Sequence, residues 1–445
     1  MINITQLANL LSINTSEIDE ITEFTNLSTC NVFIKVKRKV IPCPSCNCES
    51  SNLKEWKTKK IKHILMHGKK TTLFIKYPRY KCKLCDNTYS QNISYCPKQS
   101  RLSHEIIRQI LLKLQKYNAT FLSVANDLNL TPTTVQNVFD TYINPVRKKL
   151  TQVISIDEFY NKHQFTKPYS VVIFDFLNHK IIDILEDRRK LRVSAYFSKI
   201  LNKEKQNVEY IIIDMWDPYF DIAKNHFPSA TIAIDSFHVL QNITRAIDDI
   251  RCRIMKLFPS GTTEYYLLKN FSDLLFKSPK PYSKKERNAK LKSYVNKYDI
   301  QKLLLSIHNH LLIAHQFYME YSFINSQTDL CLVEELLNNL LNNPIYTSIP
   351  ELIPVLQMIV KWKPYILNSF IRINGIRLSN GPIEGLNSQI KKLMRVSNGY
   401  NNFQRFRARI IHCYNKEFNL TPNKTKILKI KRKKRGTYKK KTTET

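Results

Sequence analysis

An α/β fold is predicted for this chain by three observations. Short β-branched runs, Val153-Ile154-Ser155-Ile156-Asp157, Ile211-Ile212-Ile213-Asp214 and Ile232-Ala233-Ile234-Asp235, each finish on an aspartate, as buried strands with a charged tip do. The stretches between them carry helical spacing instead. The resulting order, three antiparallel strands and then helix and strand in alternation, is that of a ribonuclease H-like core, in which the first and fourth strands lie side by side.

The core elements, in order, are strands over 153–159, 169–176 and 180–186 with a turn at 177–179, and a helix over 191–201. A strand over 210–213, a helix over 217–226, a strand over 231–235 and a long helix from 238 follow. Adjacent first and fourth strands would bring Asp157 against Asp214, 57 positions further on. This first part of the core occupies 149–244. Residues 245–373 turn helical, with Leu303, Leu304 and Leu305 in one stretch and Leu336, Leu337 and Leu340 in another. They carry no motif and read as a helical insertion, large enough to be a subdomain that grips DNA or a second protomer. Residues 374–420 complete the core, and 421–445 form a basic tail, with eleven Lys and Arg between Lys424 and Lys441, that reads as disordered and phosphate-seeking.

Ahead of the core, residues 1–97 open with a helical pattern and a strand over 30–40. Cys43-Pro-Ser-Cys46 and Cys82-Lys-Leu-Cys85 then stand 35 residues apart, with Leu73, Ile75 and Tyr77 alternating between them. Two such knuckles joined by strands suit a zinc ribbon, and four thiolates leave no open position, so this zinc is structural. Cys48 and Cys96 read as bystanders, although Cys48 could stand in for a ligand. A linker over 97–103 leads into a helix-turn-helix domain over 98–148, with its motif near 121–139. Small Ala125 sits at the helix crossing, Asn129 at a turn that wants a left-handed residue, and Val135 in the core of the second helix. Thr131 and Pro132 supply a cap and a first-turn proline. Thr133, Thr134, Gln136 and Asn137 are the candidate DNA contacts; the bland reading is a helical hairpin joining two domains.

Charge points to the partner. The chain has 70 Lys and Arg against 36 Asp and Glu, a formal +34, and such an excess repels itself unless a polyanion shares the surface. Nucleic acid leads, and an anionic membrane is the weaker option. No run of about 18 apolar residues exists, and the first residues lack a secretory pattern. A soluble, cytoplasmic protein is expected. The ten cysteines are then metal ligands or buried thiols rather than a disulfide framework.

Each acidic position has a dull explanation. Asp214 could cap the helix near Pro218, and Glu384, in Asn380-Gly-Pro-Ile-Glu384-Gly-Leu-Asn387, sits where a capping carboxylate is common. Asp157 is harder to dismiss, because it lies inside a strand, where aspartate is disfavoured. Glu158 alternates to the other, solvated face, and Asp175 and Asp183 border a hairpin as surface residues. Together Asp157, Asp214 and Glu384 make a coherent site for two Mg²⁺ ions, with Mn²⁺ able to stand in, acting on phosphodiesters. Asp235 competes with Asp214 as the second ligand; alternatively Asp235 and His238 are auxiliary, orienting DNA or bracing the ligands. After Glu384, Asn387, Lys391 and Arg395 share roughly one helix face, and with Lys392 they are candidate phosphate contacts. Arg405, Arg407 and Arg409 extend the positive region.

These blocks resemble the ISL-three family of insertion-sequence transposases, within the wider Asp-Asp-Glu transposases. The double knuckle, the helix-turn-helix, Ile156-Asp157-Glu158-Phe159, Asp214-Met215 with Tyr219, Asp235-Ser-Phe-His238, Asn380-Gly-x-x-Glu384-Gly-x-Asn387 and Gly399-Tyr400 with Asn402-Phe403 occur in the family's order. The resemblance implies a transposase that binds the terminal inverted repeats of its element, cuts there and joins the ends to target DNA with Mg²⁺. It implies Asp157, Asp214 and Glu384 as the triad, and Asp235 and His238 as an auxiliary Asp-x-x-His pair. A homodimer or larger assembly on DNA, within a bacterial nucleoid, is expected. The alternatives are an inactive or domesticated DNA-binding regulator, and a ribonuclease H-like structure-specific nuclease.

Overall fold

A computed structural model describes residues 11, 15–49, 51–161, 168–397, 400 and 402–422. The predicted basic tail falls almost wholly outside these residues. The chain divides into two compact units, one of residues 1–146 with 389–445 and one of residues 147–388. Among the described residues no helix is long and apolar enough to cross a membrane.

The first unit begins with a mixed five-stranded sheet: β1 (Ile18–Thr25), β2 (Thr29–Val36), β3 (Ser51–Lys62), β4 (Lys70–Cys82) and β5 (Thr88–Ser90). Its order is β1-β2-β4-β3, with β5 on β4, and β2 runs parallel to β4. Alternation explains it. Val32, Ile34, Leu73 and Ile75 point into one core while the residues between them stay at or near solvent. The helical pattern expected at the start lies almost wholly outside the described residues; from Thr15 the chain forms a 3₁₀ turn at Thr15–Glu17 and edge strand β1. Only Ile18 of β1 is buried, so pairing with β2 rather than any apolar rhythm makes it a strand.

Helices α1 (His104–Lys113), α2 (Phe121–Asp127) and α3 (Pro132–Tyr142) follow. The local signals act as expected: Ala125 and Val135 are fully buried, Asn129 takes φ 52°, and the Thr131 side chain accepts from the Thr134 amide ahead of Pro132. A later helix, α15 (Phe403–Asn415), packs here and corrects the reading of its arginines. Arg405 pairs with Asp140 at 2.8 and 2.6 Å, Arg407 donates to the Pro145 carbonyl, and buried Arg409 donates to the carbonyls of Lys116 and Ala119. They are spent on closing helix ends and ion pairs within the unit.

Two buried histidines give this unit a pH dependence. His63 meets the Ser103 hydroxyl at 2.8 Å and His412 donates to the Leu111 carbonyl at 2.8 Å; burial lowers each to about 4. Between that value and the ordinary 6.5 the unfolded chain binds more protons than the folded one, so stability falls as pH falls through this window. Chemical denaturation from pH 7 to 4.5 is expected to show a loss of a few kcal/mol, with a shallower slope in His412→Gln. An unchanged slope would refute the assignment.

The second unit is built on a sheet of order β10-β9-β6-β7-β8, formed by β6 (Val153–Tyr160), β7 (Tyr169–Asp175), β8 (Lys180–Leu185), β9 (Tyr210–Ile213) and β10 (Thr231–Ile234). β6, β7 and β8 are antiparallel neighbours, and β9 and β10 join β6 in parallel. Helices α4 (Lys190–Ser198), α5 (Asn202–Lys205) and α6 (Asp217–His226) link the strands. From α7 (Ser236–Met255) the chain stays largely helical through α8 (Thr263–Asn270), α9 (Lys297–Ser306), α10 (Asn309–Ser326), α11 (Leu330–Asn342), α12 (Pro344–Thr347) and α13 (Ile353–Asn368). Asn368 ties α13 to the sheet through the Ile232 carbonyl at 2.8 Å. A tight hairpin around Asn374 and Gly375, both at positive φ, then turns the chain into α14 (Gly381–Val396).

Asp175 and Asp183 are buried, not on the surface. Asp175 accepts from the Asn178 backbone and side chain, closing the hairpin, and Asp183 accepts from the Tyr196 hydroxyl at 3.1 Å. A buried carboxylate is tolerated where such donors surround it.

Candidate active site

Register sets the site. The last paired rung of β6 and β9 is Ser155↔Ile212, so Asp157 and Asp214, each two residues on, stand side by side past that pairing, Asp157 still within β6 and paired with Val172 of β7, Asp214 just beyond the end of β9. β10 pairs with β9 up to Ile234↔Ile213, which puts Asp235 next to Asp214. Asp214 and Asp235, at the carboxyl ends of β9 and β10, therefore converge with Asp157 on β6 where the parallel pairing ends, the place at which open α/β sheets hold their ligands.

Asp157 and Asp214 offer carboxylate oxygens that lie, with a ring nitrogen of His238, within 4.8 Å of one another. Burial first, then the charge of Asp214, lifts the Asp157 carboxyl to about 7. His238, in the first turn of α7, sits 2.8 Å from Asp214 through Nε2. Burial pulls its pKa down, but the bond to Asp214 and the charges of Asp214, Asp235 and Asp157 outweigh that and raise it to about 9. Asp214 does not cap α6: that helix starts after Trp216 without a side-chain cap.

Helix α14 supplies the other wall. Glu384 lies in its first turn, its Oε1 enclosed without a partner. Its carboxyl is raised by burial and by Asp235, with a smaller push from Asp214. The capping explanation fails, because the Asn380 amide that a capping glutamate would take donates instead to Asp235 Oδ1 at 3.0 Å. Glu384 stands outside the tight group of Asp157, Asp214 and His238. Asp235 is almost fully enclosed, its second oxygen unpartnered and its carboxyl raised by burial.

Two asparagines tie the helix to the strand tips. Asn380 Nδ2 donates to Asp214 at 3.2 Å, and Asn387 Nδ2 donates to Asp157 Oδ2 at 2.9 Å. Sequence reasoning gave Asn380 no role; its position just before a helix start was the available signal. Glu158 is not solvated as expected: it pairs with Arg188 at 2.5 Å, its other oxygen enclosed, and Arg188 stacks on Tyr169 and Trp216. The Tyr219 hydroxyl is enclosed without a partner, and burial with the charges of Glu158, Asp157 and Asp214 pushes its pKa well up.

The donor set fits hard divalent cations. Carboxylate oxygens are the ligands Mg²⁺ prefers, and enclosed carboxylates repelling one another, with free oxygens on Glu384 and Asp235, call for positive charge. In the first unit the four cysteine sulfurs also converge. Cys43 and Cys85 stand 3.6 Å apart, Cys46 and Cys82 3.5 Å, and all four within 4.8 Å. A tetrahedral zinc with bonds near 2.3 Å needs sulfur separations of about 3.8 Å, so the residues suit it. Cys48 and Cys96 stand outside this group.

The predicted DNA contacts divide. Thr133 and Asn137 are exposed on α3, while Thr134 is used in the cap, 2.8 Å from the Thr131 hydroxyl. Gln136 is half-buried against Arg405, whose guanidinium its amide oxygen meets at 2.8 Å. Lys391, Lys392 and Arg395 are exposed on α14.

Comparison with known families gives two matches. A family model described as transposase, of the ISL-three type, covers residues 154–410, more than half of the chain. One described as zinc-finger of transposase IS204/IS1001/IS1096/IS1165 covers residues 39–85 and so spans both knuckles. No curated protein matches the chain.

Proposed function

The chain belongs to the ISL-three transposases, and from that premise we propose that it binds the terminal inverted repeats of its element, cuts the DNA there and joins the ends to a target. The observation that carries this reading is the meeting of Asp157 and Asp214 on adjacent parallel strands, where their pairing ends. The strand order supports a ribonuclease H-like core, and the capped α2–α3 pair supports a helix-turn-helix, with Thr133 and Asn137 free to reach bases.

Asp157, Asp214 and Glu384 would hold the cations, Mg²⁺ or Mn²⁺. When bound, two such ions activate a hydroxyl nucleophile on one side of the phosphorus and stabilise the leaving oxygen on the other. The protein's own groups prepare for this. His238 holds the Asp214 carboxylate, Asn387 orients that of Asp157, and Asn380 links Asp214 to Asp235 at the start of the helix carrying Glu384. Lys391, Lys392 and Arg395 offer phosphate contacts along that helix. Asp235 and His238 are thus positioning residues.

The test is a labelled terminal-repeat duplex incubated with the full chain and Mg²⁺. Cleavage at the repeat and joined products are expected. Binding without cutting would favour a regulator, and nicks without joining a nuclease; either sinks the reading. Asn380→Ala removes only the side-chain link to Asp214, and should lower cleavage about 10–100-fold with a higher Mg²⁺ requirement. Unchanged metal dependence would show that the link is incidental.

A further inference from the structure

The sheet of the first unit has a second face, and its composition is unusual. Across the strands, one rung reads Thr22↔Phe33↔Phe74↔Lys60 and its neighbour Glu20↔Lys35↔Lys76↔Thr58. These residues lie opposite the core side, which Val32, Ile34, Leu73 and Ile75 fill. Phe33 is 46% exposed at the middle of the sheet and stacks on Phe74, ring centres 4.9 Å apart and planes within 15°. Trp56 flanks the pair, with Lys76 at 6.0 Å and Lys35 at 5.8 Å from its ring, and Lys60 lies 5.4 Å from that of Phe74. Lys35 is held by Asp19 and Glu20, whereas Lys60 and Lys76 form no ion pair among the described residues.

A cross-strand aromatic pair stabilises a sheet, but that alone does not call for open rings bordered by unpaired ammonium groups. Flat rings beside free cations are what an unpaired nucleic-acid strand needs: π-faces to stack on, and charge for its phosphates. Duplex DNA offers no base faces to such a surface. We propose that this face binds single-stranded DNA, its bases stacking on Phe33, Phe74 and Trp56 and its phosphates meeting Lys60 and Lys76. DNA whose ends are cut and joined exposes unpaired nucleotides, the class of ligand this platform would take. The platform itself stands independently of the acidic cluster, and each can fail without the other.

Fluorescence anisotropy of the full-length, zinc-loaded protein tests it, with labelled oligothymidylate of about 12 nucleotides against a blunt duplex. The double variant Phe33→Leu with Phe74→Leu keeps apolar bulk and loses the flat rings. It should weaken single-strand binding about tenfold or more and leave duplex binding within about twofold. Lys60→Gln with Lys76→Gln should reduce the log–log salt slope by about 1.4. Ultraviolet crosslinking should join thymine to Phe74 or Trp56. Wild-type binding by the leucine variant, equal losses on both DNAs, or crosslinks found only away from this sheet would each overturn the proposal. Should the leucine variant lose its zinc, the lysine pair and the crosslink map decide.

Discussion

Asp214→Asn is expected to lower cleavage on the order of 10³-fold, as is Asp157→Asn, the latter without lowering the melting temperature. Both halves follow from the geometry. The carboxylates face one another in an enclosed site, so removing one charge relieves repulsion and desolvation that the fold otherwise tolerates. The same change removes an oxygen ligand that a hard cation requires. Asp235→Asn makes the informative contrast. Asp235 accepts the Asn380 amide and stands outside the tight Asp157–Asp214–His238 group, so its amide variant should keep measurable cleavage with a raised Mg²⁺ requirement. If Asp235→Asn were as dead as Asp157→Asn while Asp214→Asn stayed active, the ligand assignment would be reversed. His238→Ala combined with Asp214→Asn should cost little more than Asp214→Asn alone, because the two residues act through one contact.

Removing the zinc should have the larger structural effect. Structural zinc sites contribute about 10–16 kcal/mol of apparent binding energy. Here the ion would tie the turn after β2 to the end of β4. Cys82→Ser, or a strong chelator, is expected to release one zinc per chain and to unfold this sheet, seen as early loss of cooperative melting and exposure to protease between the knuckles. Cys48→Ser and Cys96→Ser should retain the metal. Full metal content in Cys82→Ser, or equal loss in Cys48→Ser, would contradict a four-sulfur site of Cys43, Cys46, Cys82 and Cys85. Such loss need not abolish a metal-dependent nick by the acidic site, since the two sites belong to different units.

Much of the site was legible because its signals are local. β-branched runs announce the three strands that carry Asp157, Asp214 and Asp235, two knuckles announce a thiolate site, and Thr131-Pro132 announces a helix start. The misreadings share a cause. Arg405, Arg407 and Arg409 look like a basic patch in sequence, but their partners lie more than 250 positions away in helix ends and an ion pair. Glu158 looks solvated by alternation until Arg188 covers it. The exposed Phe33 meets the partly buried Phe74 only because β2 and β4 run parallel with β3 outside them.

Residue order by itself determined the strand and helix succession, the four zinc-binding sulfurs and the family, because these depend on spacing along the chain. Only the tertiary structure decided which aspartate faces Asp157, which nitrogen donors hold the pair, and that Glu384 is not spent on a cap. Those outcomes rest on parallel register and on a helix arriving more than 140 residues after β10, the last strand of that sheet. Contacts of that range are set by how whole elements pack, and no local pattern encodes them.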